Sequence, residues 1–177
     1  PTESFAEFNK VNVANATKLA ALSMQSAEKL FKLNLNAAKI ALQQSVESAQ
    51  AAASVKDVQE MMALRAKYAE SGVQTAMSYS RTLYELAAEA QAEYTAFAEE
   101  AWASYTKGVA ALVDKASKSA PAGSDAAVNA FKSSFAASTA AFDQFQKATK
   151  QVVNLADANF RAASAQATKT VKGKRAA

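Results

Sequence analysis

The sequence predicts an all-α protein of long amphipathic helices, arranged as an elongated helical bundle or a coiled-coil-like assembly. Two absences and one excess carry that prediction. No proline occurs between Pro1 and Pro121, one glycine lies between Gly72 and Gly123, and alanine fills about a quarter of the 177 positions. Alanine gives up no side-chain entropy in a helix, whereas an interior proline costs about 3 kcal/mol there. The chain is written with helix formers and almost without breakers.

The first helix is expected over about residues 4–53. Phe8, Val11, Asn15, Leu19, Leu22, Ser26, Leu30 and Leu33 recur at helical spacing as one stripe. Phe31, Leu35, Ala38, Leu42, Val46 and Ala49 form a second stripe beside it, and together the two make a broad apolar face. The second helix starts after Ser54-Val55-Lys56, where Asp57 is a good N-cap and Glu60, three residues on, completes a capping-box pattern.

That second helix is expected over 58–116. Its stripe runs Met61, Leu64, Tyr68, Gly72, Thr75, Tyr79, Leu83, Leu86, Ala90, Tyr94, Phe97, Ala101, Tyr105, Gly108 and Leu112. The steps repeat as 4, 3, 4, an eleven-residue period of about 3.67 residues per turn, which keeps the stripe straight or slightly right-handed. At 1.5 Å per residue such an element reaches about 80 Å, several times the length of an average globular helix. Residues 117–124, containing Pro121, Gly123 and Ser124, are the expected hinge, with Ser124 placed to cap the next helix and Asp125 in its first turn.

The third helix, expected over 125–168, follows a seven-residue pattern. Val128, Phe131, Phe135, Ser138, Phe142, Phe145, Thr149, Val152 and Ala156 take the a and d places, and Leu155 and Phe160 widen the face. Asp143, Lys147, Lys150, Asn154, Asp157 and Arg161 fall on the far side. Residues 1–168 thus read as one helical domain, and 169–177, with Lys172, Lys174 and Arg175 but no periodicity, as a disordered basic tail.

Composition narrows the function classes. The chain has no cysteine, so a disulfide framework and a thiolate metal site are excluded, and a reducing compartment suits it. It has no histidine, the commonest metal ligand and the side chain most suited to proton transfer near neutral pH. No metal, no cofactor and no catalytic residue is therefore expected. Every apolar run falls far short of the roughly 20 residues that a membrane-spanning helix needs. The N-terminus lacks the basic and apolar regions of a secretion signal, which predicts a cytoplasmic protein whose initiator methionine has been removed.

The net charge of +4 conceals a gradient. Residues 54–116 carry six basic and nine acidic side chains, residues 117–177 nine and three. Such a distribution suits helices lying side by side better than a nucleic-acid surface, which concentrates basic residues on one element.

The run Glu85, Glu89, Glu93, Glu99 and Glu100 reads as a solvated helix face, because its members spread over several turns with no histidine or aspartate to complete a ligand set. Trp102 reads as core or interface. Gly72 and Gly108, both on the stripe of the second helix, mark either close helix approach or points of flexibility. The apolar stripes are the features left to carry function, by packing on one another, on sister chains or on an apolar surface.

Four blocks then resemble a known family: LFKLNLNAAKIAL from Leu30 to Leu42, ASVKDVQE from Ala53 to Glu60, YSRTLYEL from Tyr79 to Leu86, and APAGSDAAVNAF from Ala120 to Phe131. In this order and spacing they resemble the phasins of polyhydroxyalkanoate-storing bacteria, over nearly the whole chain. One departure is Val58, where the family often places proline to pre-set the first helical turn.

The resemblance implies a non-catalytic coat on intracellular polyester granules of polyhydroxybutyrate type. Such a coat controls granule size, number and coalescence, with the granule synthase or depolymerase as further partners. The expected polymer-surface or self-association face is Phe8, Leu19, Leu22, Leu30, Leu33, Leu83, Leu86, Phe97, Phe131, Phe135, Phe142, Phe145 and Val152. A homo-oligomer is expected in solution, with no specific nucleic-acid partner. The alternative from another class is a cytoplasmic coiled-coil scaffold or holdase chaperone that contacts only protein.

Overall fold

The computed structural model of the chain describes residues 2–121 and 123–173, with side chains over 5–121 and 123–166. Among the described residues there are three long helices and no strand: α1 (Thr2–Ala53), α2 (Val58–Lys118) and α3 (Asp125–Gly173). The all-α class follows directly. α3 continues five residues beyond its expected end, through Lys169 and Lys172 to Gly173, so the region expected to be a disordered tail begins as helix. Residues 174–177 of that tail lie outside the described residues.

The chain divides into two compact units, Pro1–Trp102 and Ala103–Ala177, the boundary falling inside the unbroken helix α2. In the first unit, α1 and the greater part of α2 form an antiparallel hairpin. Its register is fixed by polar pairs whose partners on α2 fall in number as those on α1 rise: Lys18 with Glu100, Ser23 with Tyr94, Lys29 with Glu89 and Glu93, Asn34 with Tyr79, and Gln44 with Ser71 and Thr75.

The turn between these helices is short because α2 starts at once. Asp57 Oδ1 accepts from the Glu60 backbone N–H at 2.8 Å, and Glu60 Oε2 reaches back to accept from the Lys56 N–H at 2.9 Å. The expected capping box is therefore formed, with its return bond one residue earlier than usual.

In the second unit the last part of α2 and α3 are joined by the expected hinge. Gly123 has φ of 98°, the left-handed region that other residues avoid. Ser124 does not cap α3 with its side chain. Its hydroxyl instead donates to the Pro121 carbonyl at 2.9 Å, parallel to its own backbone N–H at 3.2 Å, so the turn claims the group that α3 would have used. An ion pair of Lys132 with Asp114, at 3.2 Å, ties α3 to α2 beyond the hinge.

No apolar side chain among the described residues is buried, and the single buried residue is polar, Gln146. The fold is held by half-buried stripes rather than by a closed core.

Candidate functional site

Among the half-buried positions of the hairpin, two lines on each helix repeat every eleven residues. On α1 they are Val11, Leu22, Leu33 and Gln44, with Asn15, Ser26, Ala37 and Ser48 beside them. On α2 they are Leu64, Thr75, Leu86 and Phe97, with Tyr68, Tyr79, Ala90 and Ala101. A shared period keeps two long helices facing each other without drift. Half of the α1 members are Asn, Ser or Gln: Asn15 and Ser26 stand in the stripe read from the sequence, whereas Gln44 and Ser48 continue it past Leu33 and are marked only by the eleven-residue spacing.

This seam is rich in polar groups. Tyr79 Oη donates to Asn34 Oδ1 at 2.7 Å, Tyr94 Oη to Ser23 Oγ at 3.0 Å, and Gln44 Nε2 to Thr75 Oγ1 at 2.9 Å. Lys29 Nζ lies 3.0 Å from Glu89 and 3.3 Å from Glu93. Hydrogen bonds to Glu89 and Glu93 outweigh partial desolvation and raise the lysine pKa above its ordinary value. Three of the glutamates expected to be a simply solvated run, Glu89, Glu93 and Glu100, thus pair across the hairpin.

A second set of large apolar side chains of α1 faces the other way. Phe31 is 67 % exposed and Leu42 68 %, and Leu35 and Val46 are exposed with them. Each lies two positions before a seam residue (33, 37, 44, 48), about 160° around the helix at 3.6 residues per turn. Of the two stripes read from the sequence of α1, the first forms the seam and the second is left outside.

α3 behaves similarly. Val128, Phe135, Phe142 and Thr149 are half-buried as the a positions of its heptads require, but the second covered line is Thr139, Gln146, Val153 and Phe160. The expected d residues Phe131, Ser138, Phe145 and Val152 are exposed, together with Leu155. The apolar arc is wider than the covered strip, so covering the a line and the residues four further on leaves the d line open. Asp157, expected on the far side, is half-buried and holds Arg161 at 2.8 Å. Phe131 and Phe135 stack with ring centroids 6.2 Å apart.

The residues expected from the sequence to meet a surface therefore separate. Phe8, Leu22, Leu33, Leu86, Phe97, Phe135 and Phe142 are half-buried; Leu19, Leu30, Leu83, Phe131, Phe145 and Val152 are exposed. Leu30, Leu83 and Leu86 come together in a groove of the hairpin. The outer row Phe31, Leu35, Leu42 and Val46 was not among them, although the sequence displays it as a stripe.

Among the described residues there is no cluster of three or more acidic side chains placed to hold a metal ion, and no helix is long and apolar enough to cross a membrane. A seam that mixes Leu, Phe and Ala with Asn, Ser, Gln and Tyr, and further apolar rows left exposed outside it, define the class: a helical protein that presents apolar rows. Residues 3–102 match the family described as Phasin protein, more than half of the chain, and the chain belongs to the phasin family. This is a family of non-catalytic structural proteins associated with polyhydroxyalkanoate granules. The match ends at Trp102, where the first compact unit also ends. Neither curated proteins nor solved structures give a match.

Proposed function

We propose that the chain coats polyhydroxyalkanoate granules by laying its exposed apolar rows on the polymer: Phe31, Leu35, Leu42 and Val46 of α1, and Phe131, Phe145, Val152 and Leu155 of α3. The observation that carries this reading is the outer row of the hairpin: Phe31 and Leu42 stand about two-thirds exposed on the back of a seam already occupied by Leu22, Leu33, Leu86 and Phe97 and by polar pairs. Adsorption then needs no unfolding of the seam. Each square ångström of apolar surface removed from water contributes about 25 cal/mol, so eight such side chains laid flat favour the surface by on the order of 10 kcal/mol before ordering costs.

A coat of this kind lowers the tension of the granule surface and keeps neighbouring granules from merging, which sets their size and number. It acts on the outside of cytoplasmic granules and requires no cofactor. Self-association through the same rows stores the protein when polymer is scarce, because free rows of this length are poorly solvated.

The test is cosedimentation with polyhydroxybutyrate particles. The variant F31S/L35S/L42S/V46S is expected to lose at least tenfold in binding while its circular dichroism stays helical, because these residues lie off the seam. Undiminished binding with helicity intact removes the α1 row from the reading, and a chain that ignores polymer yet forms a defined oligomer belongs to a protein-only scaffold.

A further inference from the structure

The back of α1 carries an eleven-residue repeat of its own. Val13, Met24, Leu35 and Val46 form one line, and Ala20, Phe31, Leu42 and Ala53 form the next. A third line on their flank is polar: Thr17, Glu28, Lys39 and Gln50. Every member of the three lines is exposed, because the seam residues lie nearly half a turn away and the hairpin leaves this face uncovered.

The order of the residues fixes how a second copy fits. When the helix is reversed and laid against itself, the first apolar line meets the second: Val13 faces Ala53, Ala20 faces Val46, Met24 faces Leu42 and Phe31 faces Leu35. Small residues oppose larger ones at the ends, and the large ones meet at the centre. The same reversal sets Glu28 against Lys39, twice, because the pairing is symmetric. Glu28 Oε1 holds Lys32 at 2.6 Å and keeps Oε2 for a second cation, and among the described residues Lys39 has no acidic partner. A slip of eleven residues in either direction keeps apolar lines in contact but brings Glu28 against Glu28 or Lys39 against Lys39, and like charges so placed are repelled. Parallel pairing puts Glu28 and Lys39 on opposite flanks, where they do not meet. Charge therefore selects one direction and one register.

The face is also large enough. Residues 13–53 span about 60 Å, and a strip of that length as wide as a helix, about 10 Å, covers about 600 Å² on each copy. Two copies together reach the roughly 1,200 Å² at which specific interfaces begin.

We propose that two copies of the chain pair antiparallel through the back of α1, with Met24 on Leu42, Phe31 on Leu35 and Glu28 paired to Lys39 across the twofold axis. The pairing covers Phe31, Leu35, Leu42 and Val46, so a chain in the dimer cannot lay that row on a granule. The role of the dimer as a stored form rests on the granule reading; its geometry does not.

Sedimentation velocity of the full-length chain across a concentration series tests the pairing. Glu28→Lys and Lys39→Glu each turn both ion pairs into like-charge contacts, and each is expected to raise the dimer dissociation constant about tenfold. An equimolar mixture of the two variants regains opposite charges at both sites and is expected to return to the natural constant. Both variants leave every seam residue in place, so circular dichroism is expected to stay helical. The natural chain has no cysteine, so Met24→Cys/Leu42→Cys reports the register: mild oxidation is expected to give a covalent dimer, whereas Met24→Cys alone gives none, its counterpart lying about 27 Å along the pair. A monomer at every concentration, weakened variants that the mixture does not restore, or equal cross-linking by Met24→Cys alone each overturn the pairing. Cosedimentation with polyhydroxybutyrate particles is read on the covalent dimer, which is expected to bind at least tenfold more weakly than the same chain reduced. Equal binding of the two refutes the stored form alone, and a monomer that coats particles refutes the pairing while the granule reading stands.

Discussion

Lys29 shows how single residues hold this fold. It sits 70 % covered in the seam, bridging two glutamates one helical turn apart on the facing helix. Those partners favour its charged form and hold its pKa above the 10.5 of an unperturbed lysine. A raised folded-state value means that the bridge contributes stability in full below the unfolded-state pKa and loses it as pH rises through the folded one. The expected outcome is a melting temperature that falls more steeply above pH 10.5 in the natural chain than in Lys29→Met, measured by circular dichroism across pH 8 to 12. At pH 7 the order reverses in a different sense: Lys29→Met melts lower, because Glu93 then keeps a half-covered charge with no counter-ion. Parallel pH profiles for the two proteins would remove Lys29 from the account. Glu28, fully outside the seam, obeys the opposite rule: its hydrogen bond to Lys32 lowers its pKa, so its small contribution fades only in acid.

At the scale of the element, glycine within α2 exposes what packs against it. A Cβ built on Gly72 meets nothing within 4 Å, so no helix approaches closely there and no positive φ requires the residue. Of the two readings open from the sequence, close approach is excluded by that space. Gly72→Ala is expected to stabilise α2 by about 0.5 to 1 kcal/mol, the ordinary cost of glycine in a helix interior, visible as a higher thermal midpoint; a lower midpoint would mean that the bend or freedom of Gly72 is used. Helix limits were legible for similar local reasons: Asp57, Glu60 and Gly123 act through neighbours a few residues away, which a sequence displays. The eleven-residue stripe of α2 was legible because its members are apolar. Its counterpart on α1 was legible as far as Leu33, with Asn15 and Ser26 inside the stripe, but its continuation through Gln44 and Ser48 was hidden, because a hydrophobic pattern discards polar residues that a partner helix satisfies. The d line of α3 was misplaced because periodicity gives an arc of apolar residues, not the part of the arc that another surface covers; Phe145 and Thr139 differ in that respect only once the helix is packed.

At the scale of the whole molecule, accessible area decides what the fold can sustain by itself. Large apolar side chains stand exposed on each compact unit taken by itself, Phe31 and Leu42 on the first, Phe145 and Val152 on the second, each about two-thirds exposed. Without a buried apolar residue among those described, the hydrophobic term that normally offsets chain entropy is small. Helices so placed draw the rest of their stability from whatever covers their rows. Anything that binds the folded state and not the unfolded one raises the melting temperature by mass action, by about 2.7 kcal/mol of stability when present at a hundred times its dissociation constant. Calorimetry with increasing polyhydroxybutyrate particle area is therefore expected to raise the midpoint progressively until the surface is in excess, whereas equal areas of uncharged agarose leave it unchanged. F31S/L35S/L42S/V46S should melt near the natural chain in solution and gain little from the polymer, since its substitutions spare the seam and remove the row. A midpoint indifferent to polymer in the natural chain would show that the outward rows contribute nothing to holding the helices, and that the polar seam and its ion pairs suffice.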